Sequence, residues 1–153
     1  MGKKVTTLLA TTALTAMALA GQASAAPSHP GAPPTATTAK PGTQETRTYH
    51  APFTLGHNQS VSSDTARLVM QSDGNLVIYD EFNRARWASN TVGQGWTARF
   101  QTDGNFVVYT RSDRPAWNSR TAGHPGSRLV VQDDGNVVIY DGSRAVWASG
   151  TNH

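Results

Sequence analysis

The chain contains no cysteine. That excludes the disulfide staples on which small secreted domains commonly depend, so any core must come from packing alone. It also excludes a lipid-modified cysteine after the leader. Charge is sparse: 15% of residues are Asp, Glu, Lys or Arg, with a formal net charge of +3. No cationic phosphate clamp, Gly-rich phosphate loop or Ser-centred elbow is present. The five histidines are scattered and none has metal-ligand spacing. Asp133-Asp134 is an acidic pair inside a turn, not a separated catalytic pair. The sequence therefore carries no enzyme signal and implies no metal or cofactor.

The one long apolar stretch, Val5 to Ala20, falls short of a comfortable bilayer span. Lys3 and Lys4 precede it and the small-residue site Ala23-Ser24-Ala25 follows, the pattern of a secretory signal over residues 1–25. Cleavage near Ala25 removes two lysines and leaves 11 basic against 10 acidic residues. The high pI largely reflects the leader, and no basic patch of the kind a nucleic acid needs remains. The expected location is extracellular, without stable membrane insertion. Residues 26–50, rich in Pro, Thr, Ala and Ser without apolar periodicity, read as a linker or tail.

What the chain does have is a threefold repeat in residues 51–153. Gln71-Ser72-Asp73-Gly74-Asn75-Leu76-Val77-Ile78-Tyr79 returns as Gln101 to Tyr109 and again as Gln132 to Tyr140, at steps of 30 and 31 residues. Five positions, Q-x-D-x-N-x-V-x-Y, are identical in all copies. Each copy holds an Asp-Gly between alternating apolar residues, a strong hairpin signal. A two-residue loop would pair Gln71 with Leu76, and a three-residue loop would pair it with Asn75. The three-residue loop puts Leu68, Met70, Leu76 and Ile78 on one face, Ala98, Phe100, Phe106 and Val108 in the second copy, and Leu129, Val131, Val137 and Ile139 in the third. All twelve positions are apolar, so this register is predicted, with Gly in the left-handed conformation.

The opposite face then gathers Gln71, Asp73, Asn75, Val77 and Tyr79. The second copy gathers Gln101, Asp103, Asn105, Val107 and Tyr109, and the third Gln132, Asp134, Asn136, Val138 and Tyr140. Amide donors, carboxylate acceptors, a phenol and a small apolar patch suit a neutral polyhydroxylated ligand with one apolar edge. A polar outer face that serves only the turn would not require the same Gln, Val and Tyr three times.

These residues resemble the monocot mannose-binding, or bulb-type, lectin family, whose sugar-site signature is Q-x-D-x-N-x-V-x-Y. The resemblance spans about residues 52–153 and implies an all-β fold, the β-prism II, with three pseudo-symmetric antiparallel sheets around a common core. It implies that Gln, Asp, Asn and Tyr bond mannose hydroxyls and that Val packs on the ring carbons. Asp and Asn would read the axial 2-hydroxyl that separates mannose from glucose. Plant members often have a disulfide cysteine where Gly74 stands, and this chain departs from them there. Leader and absent cysteines lean towards a bacterial, secreted member. The resemblance extends to lectin-like bacteriocins, usually built from two tandem prism domains where this chain has one. A structural or protein-binding module with inert sugar sites is the other alternative. Alanine at Asn75, Asn105 and Asn136 together is expected to abolish mannose binding and leave the fold intact.

Trp87, Trp117 and Trp147 recur at 30-residue steps and are expected to fill the axis of the three sheets. Trp96 breaks the period. Thr54-Leu55-Gly56-His57 aligns with Thr91-Val92-Gly93-Gln94 and Thr121-Ala122-Gly123-His124, expected to lead into each hairpin. Each repeat reads as about three strands, with the Trp147 strand expected to close the first sheet. By resemblance, this terminal strand could instead be exchanged in a homodimer.

Overall fold

Alternation of buried and exposed residues, broken by turns every few residues, yields twelve short strands and no helix among the described residues. The structure, a computed structural model, describes residues 45–153. The signal expected at 1–25, and the linker up to residue 44, lie outside the described residues.

Three four-stranded antiparallel sheets are formed. The first joins β3 (Gln59–Ser62), β4 (Ala66–Met70), β5 (Leu76–Asp80) and β6 (Ala85–Ala88). The second joins β2 (Phe53–Leu55), β7 (Gly95–Phe100), β8 (Phe106–Thr110) and β9 (Pro115–Asn118). The third joins β1 (Arg47–His50), β10 (Arg128–Val131), β11 (Val137–Asp141) and β12 (Arg144–Ala148). Each repeat supplies three strands, as expected. The fourth strand of every sheet comes from residues 47–62, dealt out one strand to each sheet in reverse order. This corrects the expectation for Trp147: its strand, β12, pairs with β11 in the third sheet and does not close the first. The linker reading of 26–50 also ends too late, because its last four residues are β1.

The hairpin register is the one that the apolar pattern selects. Met70 faces Leu76 and Leu68 faces Ile78 across β4 and β5. Gln71 N–H donates to Asn75 O at 2.8 Å and Gly74 N–H to Gln71 O at 3.1 Å, closing the three-residue loop. Gly74, Gly104 and Gly135 close the three loops with φ of 91°, 88° and 85°, a region that disfavours side chains. The face predicted to be apolar is the core: all twelve of those residues are buried, and Leu55 and Ala66 join them in one cluster drawn from all three sheets.

The axis is aromatic. Trp87, Trp117 and Trp147 meet edge to face, with centroids 5.2, 5.7 and 5.8 Å apart. Phe106 packs edge-on against both Phe100 and Trp117. Such tilted pairs add to the area these rings remove from water. The indoles pack against the core and against one another, as expected.

The β5–β6 turn depends on a buried carboxylate. Burial pushes the Asp80 carboxyl up, but hydrogen bonds from the Arg84 N–H, the Arg84 guanidinium and the Phe82 N–H outweigh it and hold the pKa below the ordinary value. A depressed native pKa contributes stability that is full above the unfolded value and is lost as pH falls through the native one. The melting temperature should therefore drop on acidification below about pH 4. Asp80→Asn should lower stability at neutral pH and flatten that acid slope in thermal melts. An unchanged slope would separate Asp80 from the acid response.

Candidate functional site

The signature residues come together in three places, one on each sheet, and every site is built from the same parts. The Asp sits at the hairpin turn, where its Oδ1 accepts the N–H of the signature Asn: 2.9 Å for Asp73–Asn75, 2.9 Å for Asp103–Asn105 and 3.0 Å for Asp134–Asn136. The Gln and Tyr lie on the same face of the strand pair and meet over the Val between them. Gln71 Nε2 donates to Tyr79 Oη at 2.7 Å, Gln101 to Tyr109 at 2.7 Å and Gln132 to Tyr140 at 3.2 Å. The strand register shifts at each signature Tyr, where the chain passes from Ile78, Val108 and Ile139 to Tyr79, Tyr109 and Tyr140. Such bulges re-aim a side chain. Val77, Val107 and Val138 lie between these groups, each 3% exposed or less. The small apolar patch expected of them is a thin, nearly buried floor.

The Asn is held from behind by the Ser and Thr that follow each tryptophan, a role that their place in the sequence did not suggest. Asn75 Oδ1 accepts the Thr91 N–H at 3.1 Å and the Ser89 hydroxyl at 3.3 Å. Thr91 Oγ1 donates to Gly74 O at 2.7 Å, pinning the turn. Ser119 and Thr121 repeat this under Asn105, and Ser149 and Thr151 under Asn136. The signal was present as W-x-S-x-T: Trp87-Ala88-Ser89-Asn90-Thr91, then Trp117 to Thr121 and Trp147 to Thr151. Thr91 and Thr121 thus brace the preceding site, and their third counterpart is Thr151. Thr54 instead lies in the outer strand β2. His57 does reach a site: its Nε2 donates to Ser72 O at 3.0 Å.

An arginine caps each phenol: Arg67 over Tyr79 at 5.2 Å, Arg99 over Tyr109 at 4.8 Å and Arg128 over Tyr140 at 5.2 Å. Each is tied to the neighbouring turn, through Asn83, Asp113 and Gly142 respectively. Arg67 and Arg128 lie directly across from their tyrosines, whereas Thr97 holds that place opposite Tyr109. The second capping arginine therefore comes from a different position of the repeat, the one that Val69 and Val130 hold in the other copies.

The remaining hydrogen-bond capacity defines the chemistry. The Asn carbonyl is engaged, which leaves its NH2 as a donor. Asp keeps Oδ2 as an acceptor, Gln keeps Oε1, and the Tyr proton is still to be placed. Alternating donors and acceptors along one shallow face match the vicinal hydroxyls of a sugar, each of which both donates and accepts. Among the described residues no group of three His, Asp or Glu is placed to hold a metal ion.

Solved structures similar to this chain include monocot mannose-binding lectins. Monomeric monocot mannose-binding lectins from Gastrodia elata are 42% identical, with a TM-score of 0.62 over 71% of this chain and 98% of theirs. The Polygonatum cyrtonema lectin, solved with monomannoside, is 37% identical, with a TM-score of 0.56 over 70% and 96%. The mannose-specific agglutinin from snowdrop, solved with methyl-α-D-mannoside, is 40% identical, with a TM-score of 0.54 over 66% and 93%. No family model and no curated protein sequence matches the chain. Fold and site together define a β-prism II lectin. The chain belongs to the bulb-type, monocot mannose-binding lectin family, whose members are non-enzymatic carbohydrate binders.

Proposed function

We propose that this protein is a secreted bacterial lectin that binds mannose, or glycans ending in mannose, at three sites. The observation that carries the reading is the same polar set, Gln, Asp, Asn and Tyr, held in one geometry three times over. Similar lectins solved with mannosides bring mannose specifically into the reading. Recognition is by hydrogen bonds without covalent chemistry. A single shallow site of this kind corresponds to roughly millimolar affinity, and three sites on one chain gain avidity only on a glycan that spans them.

Calorimetry with methyl α-mannoside, against the glucoside, tests this directly. Heat with the mannoside alone, fitting three sites per chain, supports the reading. No heat with either sugar on folded protein would overturn it. Secretion rests on the leader pattern and is checked by N-terminal sequencing of protein from culture medium, which should begin near Ala26.

The reading extends to assembly by exchange of the C-terminal strand. β12 is the edge of its sheet, and the residues after it brace the third site through Ser149 and Thr151. In an exchanged dimer that brace would come from the partner. Light scattering that gives twice the chain mass supports exchange, whereas a monomer at every concentration removes it. The Gastrodia elata relatives are described as monomeric.

A further inference from the structure

The three sites are alike in their signature residues but not in what adjoins them. Each hairpin turn is met by a loop that also approaches the turn between the last two strands of the next sheet. At the second site the loop residue is His124, whose N–H donates to Asp103 O and whose Nδ1 meets Asp141 at 2.9 Å. At the third site it is His153, whose N–H donates to Asp134 O and whose Nε2 meets Glu81 at 2.8 Å. Both neighbouring turns therefore place a carboxylate beside the site.

At the first site the sign is reversed. The loop residue is Gly93, whose N–H donates to Asp73 O, with Gln94 beside it, and the neighbouring turn presents Arg111 and Arg114. Arg111 takes the place in its repeat that Glu81 has in the first, two residues beyond the signature Tyr. Gly93, Gln94 and Arg111 border two adjoining clefts, of about 260 and 520 Å3. The smaller contains Asp73 of the first sugar site. The larger is lined by Arg111 and Arg114 with Thr110 and Ser112, and no carboxylate lines it.

Arg111 is held in place. Its guanidinium lies 3.9 Å from the Trp96 ring centre, and Trp96 stacks on His57 at 3.9 Å. His57 in turn bonds Ser72 O in the turn of the first site. This column explains the tryptophan that breaks the repeat. With both faces covered, Trp96 is no stacking platform for a sugar, and it instead leaves the N–H edge of Arg111 free. Among the described residues neither Arg111 nor Arg114 has an ion-pair partner. The other 44 residues contain no Asp or Glu. Asp113, in the same turn, is engaged by Arg99 at 2.7 Å. The turn itself is closed by Thr110 and Arg114 backbone bonds.

We propose that the first site is specialised for mannosyl units carrying a negatively charged substituent, a phosphate or a carboxylate, which Arg111 and Arg114 receive while Gln71, Asp73, Asn75 and Tyr79 hold the sugar. A planar guanidinium held by its face, as Arg111 is, with its N–H edge open, suits both anions. This rests on the mannose reading, and the second and third sites, with their carboxylates, remain selective for neutral sugar.

Calorimetry on the full chain should compare methyl α-mannoside with mannose 6-phosphate, α-mannose 1-phosphate and methyl α-mannuronoside. At least one anionic sugar should bind a single site about tenfold more tightly than the neutral one. The preference should shrink at about 0.5 M salt. It should vanish in the Arg111→Gln/Arg114→Gln variant, with mannoside binding unchanged. Which anionic sugar responds distinguishes phosphate from carboxylate. Equal affinities for neutral and anionic sugars, or a preference that survives in the double variant, would overturn the proposal. If methyl α-mannoside does not bind at all, the mannose reading fails, and inorganic phosphate then reads the subsite alone. Phosphate bound by the wild type and lost in the double variant upholds the anion site, whereas phosphate that does not bind, or still binds the variant, removes it.

Discussion

Aspartate at Asn75, Asn105 and Asn136 together will abolish mannoside binding while the domain stays folded. The reason is in how each asparagine divides its two ends. Oδ1 faces inward to the Thr91, Thr121 or Thr151 N–H, and a carboxylate oxygen can keep that bond. The outward NH2 is the donor lost. In its place stands a second negative acceptor beside Asp73, Asp103 or Asp134, where a sugar hydroxyl needs a donor. Losing one charge-neutral hydrogen bond and leaving an acceptor unpaired costs about 1–3 kcal/mol per site. From a roughly millimolar start that carries affinity beyond reach of calorimetry. Mannoside heat that persists in the triple variant would remove these residues from the site. The alanine triple expected from sequence is a poorer test than it first appears. It would leave three buried threonine N–H groups without acceptors, at about 1–3 kcal/mol each, against a typical domain stability of about 5–15 kcal/mol. Loss of binding there would confuse a missing donor with a loosened loop.

The second large effect is on the core. Phe106→Ala should destabilise the domain by about 3–5 kcal/mol and lower the melting temperature by on the order of 15 °C or more. Phe106 is 1% exposed, follows the signature Asn105 directly, and its ring touches both Phe100 and Trp117. Its backbone N–H also donates to Ser119 Oγ at 2.9 Å, the brace beneath Asn105. A cavity here removes support from the aromatic axis, and no disulfide is present to hold the sheets. Denaturant melts measure the effect. A loss under about 1 kcal/mol would mean that the axis relaxes into the space and that the three indoles alone hold the sheets together.

Much of this was legible because the repeat states it three times. The apolar alternation around Asp73-Gly74 selected one hairpin register, and that register alone put Gln71, Asn75 and Tyr79 on a common face. The braces were legible too, in the Ser and Thr that follow each tryptophan, but their role was not. Ser89 and Thr91 are 14 and 16 residues from Asn75, and nothing local says that the chain folds back there. Arg99 was hidden because it stands two residues before its Gln, where the other copies have Val69 and Val130, and it pairs with Val107 instead of the tyrosine it caps.

Sequence by itself determined the strands, the hairpins, the apolar core face and the composition of each site, because a period of two residues fixes which side chains share a face. Tertiary structure alone decided the rest. It set which sheet received β1, β2 and β3, since a short outer strand can add to any open edge and only the path of the chain between edges chooses. It also decided what lies beside each otherwise equal site. Contacts between one sheet's loop and the next sheet's turn join residues such as His153 and Glu81, 72 positions apart, and that packing brings Arg111 to the first site, Asp141 to the second and Glu81 to the third.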